Sequence, residues 1–248
     1  MRRGLKVRRS TLYPSIIALV LAFLLGVILH TPEKAYALSE ILGLPGEAQY
    51  FSLHRETTYG EAEWHDEQRG GAKVYLIGDS MLAGHDVSDL SESVLNVAVG
   101  GERAAWLVNE TDQLAFTRKG ACVVINLGIN DLAYGAHPMD VAIHLDDLLS
   151  KYQGQQVLLG EALPVTPIFT MMDSGKLNPI IRQLNTQADK VCAAHSHCTR
   201  LAWYQQFVDE KGVPKAELFR NDGIHLSRAG YTVFGQTLRA GLKEQACL

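Results

Sequence analysis

The chain after residue 72 alternates between short apolar runs and amphipathic stretches. The apolar runs are rich in β-branched residues, which is typical of buried strands. They are KVYLIGD (73–79), VLNVAVG (94–100), CVVINLG (122–128) and QVLLGEALP (156–164). Helical spacing is found at 103–116, 138–152 and 174–194, and a last helix is predicted from about Ser227. Buried strands that alternate with amphipathic helices predict an α/β fold with a parallel sheet covered on both faces.

The N-terminus has a different pattern. Five basic residues lie within the first nine positions, and the uncharged run SIIALVLAFLLGVIL (15–29) follows them. Basic residues before an apolar run predict a membrane anchor or a signal peptide, with the rest of the chain exported. Ala35-Tyr36-Ala37 has the A-x-A form of a cleavage site. Residues 1–37 are therefore interpreted as a leader, and an uncleaved anchor is favoured over a cleaved signal peptide.

Residues 38–71 link this leader to the regular pattern. They are polar and rich in glycine, so we interpret them as a stalk or a loosely packed extension before a domain at 72–248. The whole chain has 248 residues, of which 47% are hydrophobic, and this is enough for one core of good size. Its net charge of -4 gives no reason to expect nucleic-acid binding.

The four cysteines fit an exported protein. Cys192 and Cys198 lie close in sequence and are expected to pair in an oxidising compartment. Cys122 lies in an apolar run and is interpreted as a buried thiol, and Cys247 near the chain end as a free one. The segment His195–Cys198 is rich in potential ligands, but its spacing matches no zinc site.

Polar or glycine residues follow the predicted strands where they end. Ser80 follows the first strand, Gly100 and Gly101 end the second, and Asn130 follows the third. DGIH (222–225) comes just before the last helix. Because ligands of parallel sheets bind at the carboxyl ends of the strands, we expect these residues to lie close together.

These residue types suit acyl transfer. A serine hydroxyl needs an adjacent base, and His225 can take that role for Ser80. Asp222 lies three residues before His225 and can orient its ring by accepting from the other nitrogen. The backbone N–H groups of Ser80 and Gly101 and the side-chain amide of Asn130 can stabilise the negative oxygen of a tetrahedral intermediate.

Some of these positions have structural alternatives. Ser80 could serve only as a helix N-cap, since serine is a preferred capping residue. Asp79 and Asp131 are interpreted as structural carboxylates that hold loop N–H groups. Arg103 is a candidate contact for an anionic or sugar substrate. The stretch 165–178 is a candidate lid or pocket wall, or else a packed crossover loop.

Four motifs in order, GDS (78–80), NVAVGG (96–101), GIND (128–131) and DGIH (222–225), resemble those of the SGNH hydrolases, also called GDSL-type esterases and lipases. The resemblance covers about residues 72–245 and implies a three-layer α/β/α sandwich. It implies the catalytic residues Ser80, His225 and Asp222 and the oxyanion-hole residues Ser80, Gly101 and Asn130. The family places this glycine five residues after an asparagine, which selects Gly101 from Asn96. It implies no metal or organic cofactor.

The resemblance and the predicted export together indicate an envelope serine esterase. We expect it to remove short acyl groups, with O-acetyl esters of an envelope glycan as the substrate. The alternatives are a membrane-proximal lipase, lysophospholipase or thioesterase, a glycan O-acyltransferase, and an idle glycan-binding protein. The DxxH spacing favours hydrolysis over transfer. The domain is expected in the periplasm or at the cell exterior, held at the membrane by the N-terminal helix or secreted after cleavage. The acyl group, its carrier and the oligomeric state stay open.

Overall fold

The computed structural model describes residues 21, 26, 47–88 and 90–248. The helices are α1 (Glu47–Arg69), α2 (Ser80–Ala83), α3 (Ala104–Leu107), α4 (Ile129–Ala133), α5 (Pro138–Lys151), α6 (Ser174–Ala194) and α7 (Arg228–Glu244). The strands are β1 (Val74–Gly78), β2 (Val94–Asn96), β3 (Cys122–Asn126), β4 (Gln156–Gly160) and β5 (Cys198–Leu201). Short 3₁₀ helices cover Thr111–Lys119, Tyr204–Phe207 and Ala216–Leu218.

The five strands form one parallel sheet in the order β2-β1-β3-β4-β5. Val74 of β1 pairs with Val94 of β2 on one side and with Cys122 of β3 on the other. The strand order therefore reverses around β1, and a crevice forms at the carboxyl ends of the strands there. Strand β5 was not predicted, because its sequence CTRL has only one fully buried residue and lacks an apolar run.

Alternate residues of the strands feed two separate cores. Tyr75 and Ile77 of β1 lie in one core, which the helices α1, α5 and α6 also line. Val74 and Leu76 lie in the other core, together with Phe234 of α7. Because strand side chains alternate between faces, this division means that helices cover both sides of the sheet. The predicted three-layer α/β/α sandwich is confirmed.

Two expected elements differ in the structure. Part of the predicted loose extension, 38–71, is the helix α1, and from residue 55 onward it packs on the domain through buried Arg55, Tyr59 and Asp66. These contacts are largely polar. The stretch therefore lacks the apolar periodicity from which a packed helix is predicted. The helix predicted over 103–116 is broken into α3 and a 3₁₀ segment. The polar run NETD (109–112) has no apolar residue that would continue a helical face.

Disulfides join all four cysteines. The expected pair Cys192–Cys198 is confirmed. The interpretation of Cys122 as a buried thiol and Cys247 as a free one is wrong, because these two residues form a second disulfide. Cys122 begins β3 on the face that α7 covers, and the turn after α7 brings Cys247 to a Cα–Cα distance of 5.9 Å. The sequence separation of 125 residues explains why local spacing could not reveal this pair.

The N-terminal predictions concern residues that are almost entirely outside the described ranges. The apolar run 15–29, the possible cleavage site at Ala37 and the hydrophobic helix predicted there lie in this part, of which only positions 21 and 26 are described. Among the helices at the described positions, none combines the length and the apolar character needed to cross a bilayer.

Candidate active site

Ser80 lies at the tip of β1, as predicted. Gly78 ends this strand, and a Cβ atom there would lie 2.3 Å from the carbonyl oxygen of Asn126, so only glycine fits. Asp79 has an extended backbone and is the N-cap of α2, because its carboxylate accepts from the N–H of Met81 at 2.9 Å. Ser80 is therefore the first helical residue rather than the cap. Its hydroxyl contacts His225 instead.

Ser80, His225 and Asp222 form a continuous chain of hydrogen bonds. The Nε2 atom of His225 lies 3.0 Å from the Oγ atom of Ser80. Its Nδ1 atom lies 2.9 Å from the Oδ2 atom of Asp222. Since the carboxylate can only accept, Nδ1 carries the hydrogen, and Nε2 is free to accept from the serine hydroxyl. The side chains of His225 and Asp222 are 39% and 46% exposed, so these hydrogen-bonded residues are open to a substrate from solvent.

The Asp222 carboxylate is held in its ionised form. Its Oδ1 atom accepts from the backbone N–H groups of Ile224 and His225, at 3.1 and 2.9 Å. Burial raises the pKa of Asp222, but the hydrogen bonds from the His225 side chain and from these two N–H groups outweigh burial. The net result is a pKa below the usual value, and a charged partner is therefore present for the histidine ring at neutral pH.

The loop that carries His225 is fixed mainly through its backbone. Gly223 has a φ angle of +78°, and its carbonyl accepts from the N–H of Thr166 at 2.8 Å. The N–H of Arg220 donates to the carbonyl of His225 at 2.7 Å. Ser227 then caps α7, because its hydroxyl accepts from the N–H of Gly230. The position of the histidine thus depends on contacts on both sides of the loop.

Gly101 and Asn130, the candidate oxyanion residues besides Ser80, lie on two neighbouring loops. Gly101 has a φ angle of +81°, which favours glycine. A Cβ atom on Gly100 would lie 4.0 Å from the Cβ atom of Ser80, so this loop passes beside the serine. Asn130 lies in the first turn of α4 and donates from Nδ2 to the carbonyl of Glu102 at 2.9 Å. An amide nitrogen has two hydrogens, so this bond uses one and fixes the plane of the group.

Three buried carboxylates, Asp79, Glu102 and Asp131, lie in the loops around the site. Asp131 accepts from the N–H groups of Ala104 and Ala105, at 3.0 and 3.2 Å. The interpretation of Asp79 and Asp131 as structural carboxylates is thereby confirmed. Burial raises the pKa of Asp79 to about 7; the N–H of Met81 opposes this shift, and the nearby charges of Asp131 and Glu102 add to it. Burial also raises the pKa of Glu102.

Sequence reasoning missed Glu102 and its two partners on α1, Arg55 and Tyr59. Its carboxylate is bonded to Arg55 and Tyr59 of α1, which come from a stretch with no apolar pattern. The candidate substrate contact Arg103 lies with its guanidinium carbon 3.4 Å from the ring centroid of Trp106 and 4.6 Å from that of Tyr134. The one signal in the sequence for Glu102 is its position directly after Gly101.

No group of three or more His, Cys, Asp or Glu side chains suited to a metal ion is found among the residues that the structure describes. In the segment His195–Cys198, Cys198 is in a disulfide. His195 lies 2.6 Å from a carboxylate oxygen of Asp146.

Comparison with known proteins agrees with this geometry. Residues 76–233 match the model of the GDSL-like lipase/acylhydrolase family. The fold is similar to that of a provisionally assigned platelet activating factor from Streptococcus pneumonia, with a TM-score of 0.70, 18% identity, and coverage of 83% of this chain and 99% of that one. It is also similar to a GDSL-like lipase from Bacteroides thetaiotaomicron (TM-score 0.62, 17% identity, coverage 76% and 99%). No curated protein was found to match.

A lipase/acylhydrolase from Enterococcus faecalis has the same fold, with a TM-score of 0.57, 22% identity, and coverage of 70% of this chain and 96% of that one. At such identities these structures establish the fold alone. The family match covers more than half of the chain, and it includes GDS, NVAVGG, GIND and DGIH. The chain belongs to the GDSL-like lipase/acylhydrolase family and is a hydrolase that acts on ester bonds.

Proposed function

We propose that this protein is a serine esterase that removes short acyl groups, with Ser80 as nucleophile, His225 as general base and Asp222 as the residue that orients the base. The observation behind this proposal is the hydrogen-bond chain from Ser80 Oγ to His225 Nε2 and from His225 Nδ1 to Asp222, at 3.0 and 2.9 Å. These distances are those of an activated nucleophile with an oriented base.

The proposed reaction has two halves. His225 Nε2 takes the hydroxyl proton while Ser80 Oγ attacks the ester carbonyl, and then gives this proton to the leaving alcohol. The acyl group stays on Ser80. Water then attacks the acyl-enzyme with His225 again as base, and the products are the free carboxylic acid and the regenerated serine. The imidazolium that forms in each half is stabilised by the ionised Asp222.

Negative charge develops on the carbonyl oxygen in both halves. We assign its stabilisation to the backbone N–H groups of Ser80 and Gly101 and to the second hydrogen of the Asn130 amide. The bond from Asn130 to the Glu102 carbonyl supports this assignment, because it fixes the amide before the substrate binds. Preorganised donors of this kind stabilise the transition state without reorganisation.

We further propose an envelope glycan as carrier of the acyl group and a location outside the cytoplasm. Two disulfides support export, since such bonds persist mainly in oxidising compartments. The basic and apolar pattern of residues 1–37 supports it from the sequence. Tyr134 is 49% exposed and lies against Arg103, and this pair offers an aromatic and cationic surface for a sugar near the candidate oxyanion loops.

A lipid ester is the second candidate substrate, and a specific observation favours it. Ile168 and Met171 are 56% and 57% exposed. Both lie on the loop that contains Thr166. The N–H of Thr166 donates to the carbonyl of Gly223, and Gly223 lies between Asp222 and His225 in the sequence. An acyl chain that reaches Ser80 would find this apolar surface close to the catalytic chain of hydrogen bonds.

The test is hydrolysis of nitrophenyl esters from acetyl to long-chain acyl by the full-length protein, with Ser80→Ala as the matched control. The proposal expects fast release of acetate that declines by octanoyl, and loss of nearly all turnover in Ser80→Ala. Rates that rise with chain length would move the assignment to lipid esters. Undiminished turnover in Ser80→Ala would refute the nucleophile. A wild type without activity on any of these esters would count against the esterase assignment and leave two alternatives, a glycan O-acyltransferase and an idle glycan-binding protein.

A further inference from the structure

Glu102 connects the two loops that hold the candidate oxyanion donors. It directly follows Gly101 in the chain, so its placement restrains the backbone of Gly101. Its carbonyl accepts from the Asn130 side chain at 2.9 Å. Glu102 is therefore linked to two donors that come from different strand ends, to Gly101 through the chain and to Asn130 through a hydrogen bond.

The side chain of Glu102 is anchored from outside these loops. The residue is 1% exposed. Its Oε2 atom accepts from the hydroxyl of Tyr59 at 2.8 Å. Its Oε1 atom accepts from Nη1 of Arg55 at 3.3 Å and from the N–H of Arg103 at 3.0 Å. Two of these three donors belong to α1.

Arg55 and Tyr59 are themselves held firmly. They are 5% and 2% exposed. Arg55 also bonds to Glu110 at 2.7 Å and lies 5.0 Å from the ring centroid of Trp106. Burial raises the pKa of Tyr59 well above its usual value, so the hydroxyl stays a neutral donor. Without these partners Glu102 would be a buried carboxylate with a single donor, and such a group moves toward water or takes up a proton.

We infer that Arg55 and Tyr59 are positioning residues of the oxyanion hole, which they align from α1 through the Glu102 carboxylate. This inference rests on the proposed function of Gly101 and Asn130. It extends the working enzyme beyond residues 76–233, the part that matches the family model, because α1 ends before residue 76.

Tyr59→Phe tests the inference in the full-length protein, and the chain provides a matched control. Tyr75 is equally buried, and its hydroxyl bonds to the buried carboxylate of Asp66 at 2.9 Å. Tyr75→Phe therefore makes the same chemical change. The carboxylate that loses a donor is then that of Asp66, which does not contact the oxyanion loops. We expect Tyr59→Phe to lower kcat on nitrophenyl acetate about tenfold with KM nearly unchanged, as for misaligned transition-state donors. Tyr75→Phe should leave kcat within about twofold.

A double-mutant cycle separates alignment from a general structural effect. In an Asn130→Ala background one donor is already absent, so we expect the loss caused by Tyr59→Phe to shrink to about threefold or less. A full tenfold loss in that background, or equal losses for Tyr59→Phe and Tyr75→Phe, would overturn the inference.

Hydrogen–deuterium exchange gives a readout that does not depend on activity. We expect amides 100–104 to exchange faster in Tyr59→Phe than in the wild type or Tyr75→Phe. If the wild type hydrolyses no ester but this exchange pattern is observed, the proposed function fails while the alignment through Glu102 stands. Unchanged exchange together with unchanged kcat would refute the alignment itself.

Discussion

The loop of Ser80 and the loop of His225 each contain an aspartate in a tight turn, and the two carboxylates behave differently. Asp79 accepts from the N–H two residues later, and Asp222 accepts from N–H groups two and three residues later. Asp79 is 1% exposed and lies near other carboxylates, and its pKa rises to about 7. Asp222 is partly exposed and bonded to His225, and its pKa falls.

This difference shows how one turn motif serves two purposes. The local hydrogen bonds of the two turns are alike, so the turn itself does not decide the role. The decisive factors are burial and the charge of the neighbours. A carboxylate beside a histidine and open to water stays ionised and can stabilise an imidazolium. A carboxylate buried beside Asp131 and Glu102 takes up a proton near neutral pH and serves only to shape the serine loop.

The largest expected effect comes from Asp222→Asn. An amide in place of the carboxylate can donate to Nδ1, which favours the tautomer with the hydrogen on Nε2, and that nitrogen can then no longer accept from Ser80. We expect kcat on nitrophenyl acetate to fall by about 10⁴-fold. Asp79→Asn is the matched variant in the other loop and should keep most of the activity. Equal losses in both variants would remove the distinction between the two carboxylates.

A smaller effect is expected from Gly223→Ala. The φ angle of Gly223 is +78°, and a Cβ atom there would lie 2.5 Å from the backbone nitrogen of Phe169. The loop must shift, and His225 moves with it. We expect a loss of about 1–3 kcal/mol in the free energy of unfolding and at least a tenfold fall in kcat. Gly154→Ala is the control, since nothing lies within 4 Å of a Cβ atom there. Activity at the wild-type level in Gly223→Ala would show that the loop tolerates displacement.

The smallest expected effect is on stability at different pH values. Because burial raises the pKa of Asp79 from 3.8 to about 7, the folded protein keeps a proton that the unfolded chain loses in this window. The contribution of Asp79 to the free energy of unfolding is therefore greatest below about pH 4, and it declines as the pH rises to about 7. Asn keeps the helix cap without a charge. We expect Asp79→Asn to raise Tm by about 5 °C or more at pH 8 relative to its effect at pH 5.

Asp222→Asn is the control for this pH dependence. The pKa of Asp222 is lowered, so its contribution to stability is present at neutral pH and is lost only as the pH falls through that lowered value. This variant should therefore show no gain in Tm at pH 8. Thermal unfolding monitored by circular dichroism measures both variants. Equal changes for Asp79→Asn at pH 5 and pH 8 would contradict the raised pKa.

The fold and the contacts of Ser80 with His225 were predictable because they follow from local patterns. Apolar runs marked four of the strands, and the rule that ligands bind at strand ends brought Ser80, Asn130 and His225 together. The hydrogen-bond chain to Asp222 has the partners expected from the sequence. The catalytic roles and the export of the domain stay predictions.

Polar contacts of residues outside the strand-end motifs were not predictable in this way. Tyr59 and Glu102 are 43 residues apart, and neither lies in a pattern that points to the other. The helix α1 buries few apolar side chains, so its sequence looks like a polar linker. The partner of Cys122 was missed for the same reason, because pairing over 125 residues depends on the packed positions of β3 and α7.

The disulfide between Cys122 and Cys247 places some residues of the site inside a covalently closed ring and leaves Ser80 outside it. It closes the chain from β3 to the C-terminus into a ring, which contains Asn130, Asp222 and His225, while Ser80 lies outside it. A protease that cuts once at any exposed loop within this ring leaves both pieces joined. The segment with His225 would then stay covalently attached to the part of the chain that carries Ser80. Without this disulfide, the same cut would leave the two pieces with no covalent link. Wherever the enzyme meets proteases, this ring would extend the working lifetime of the site.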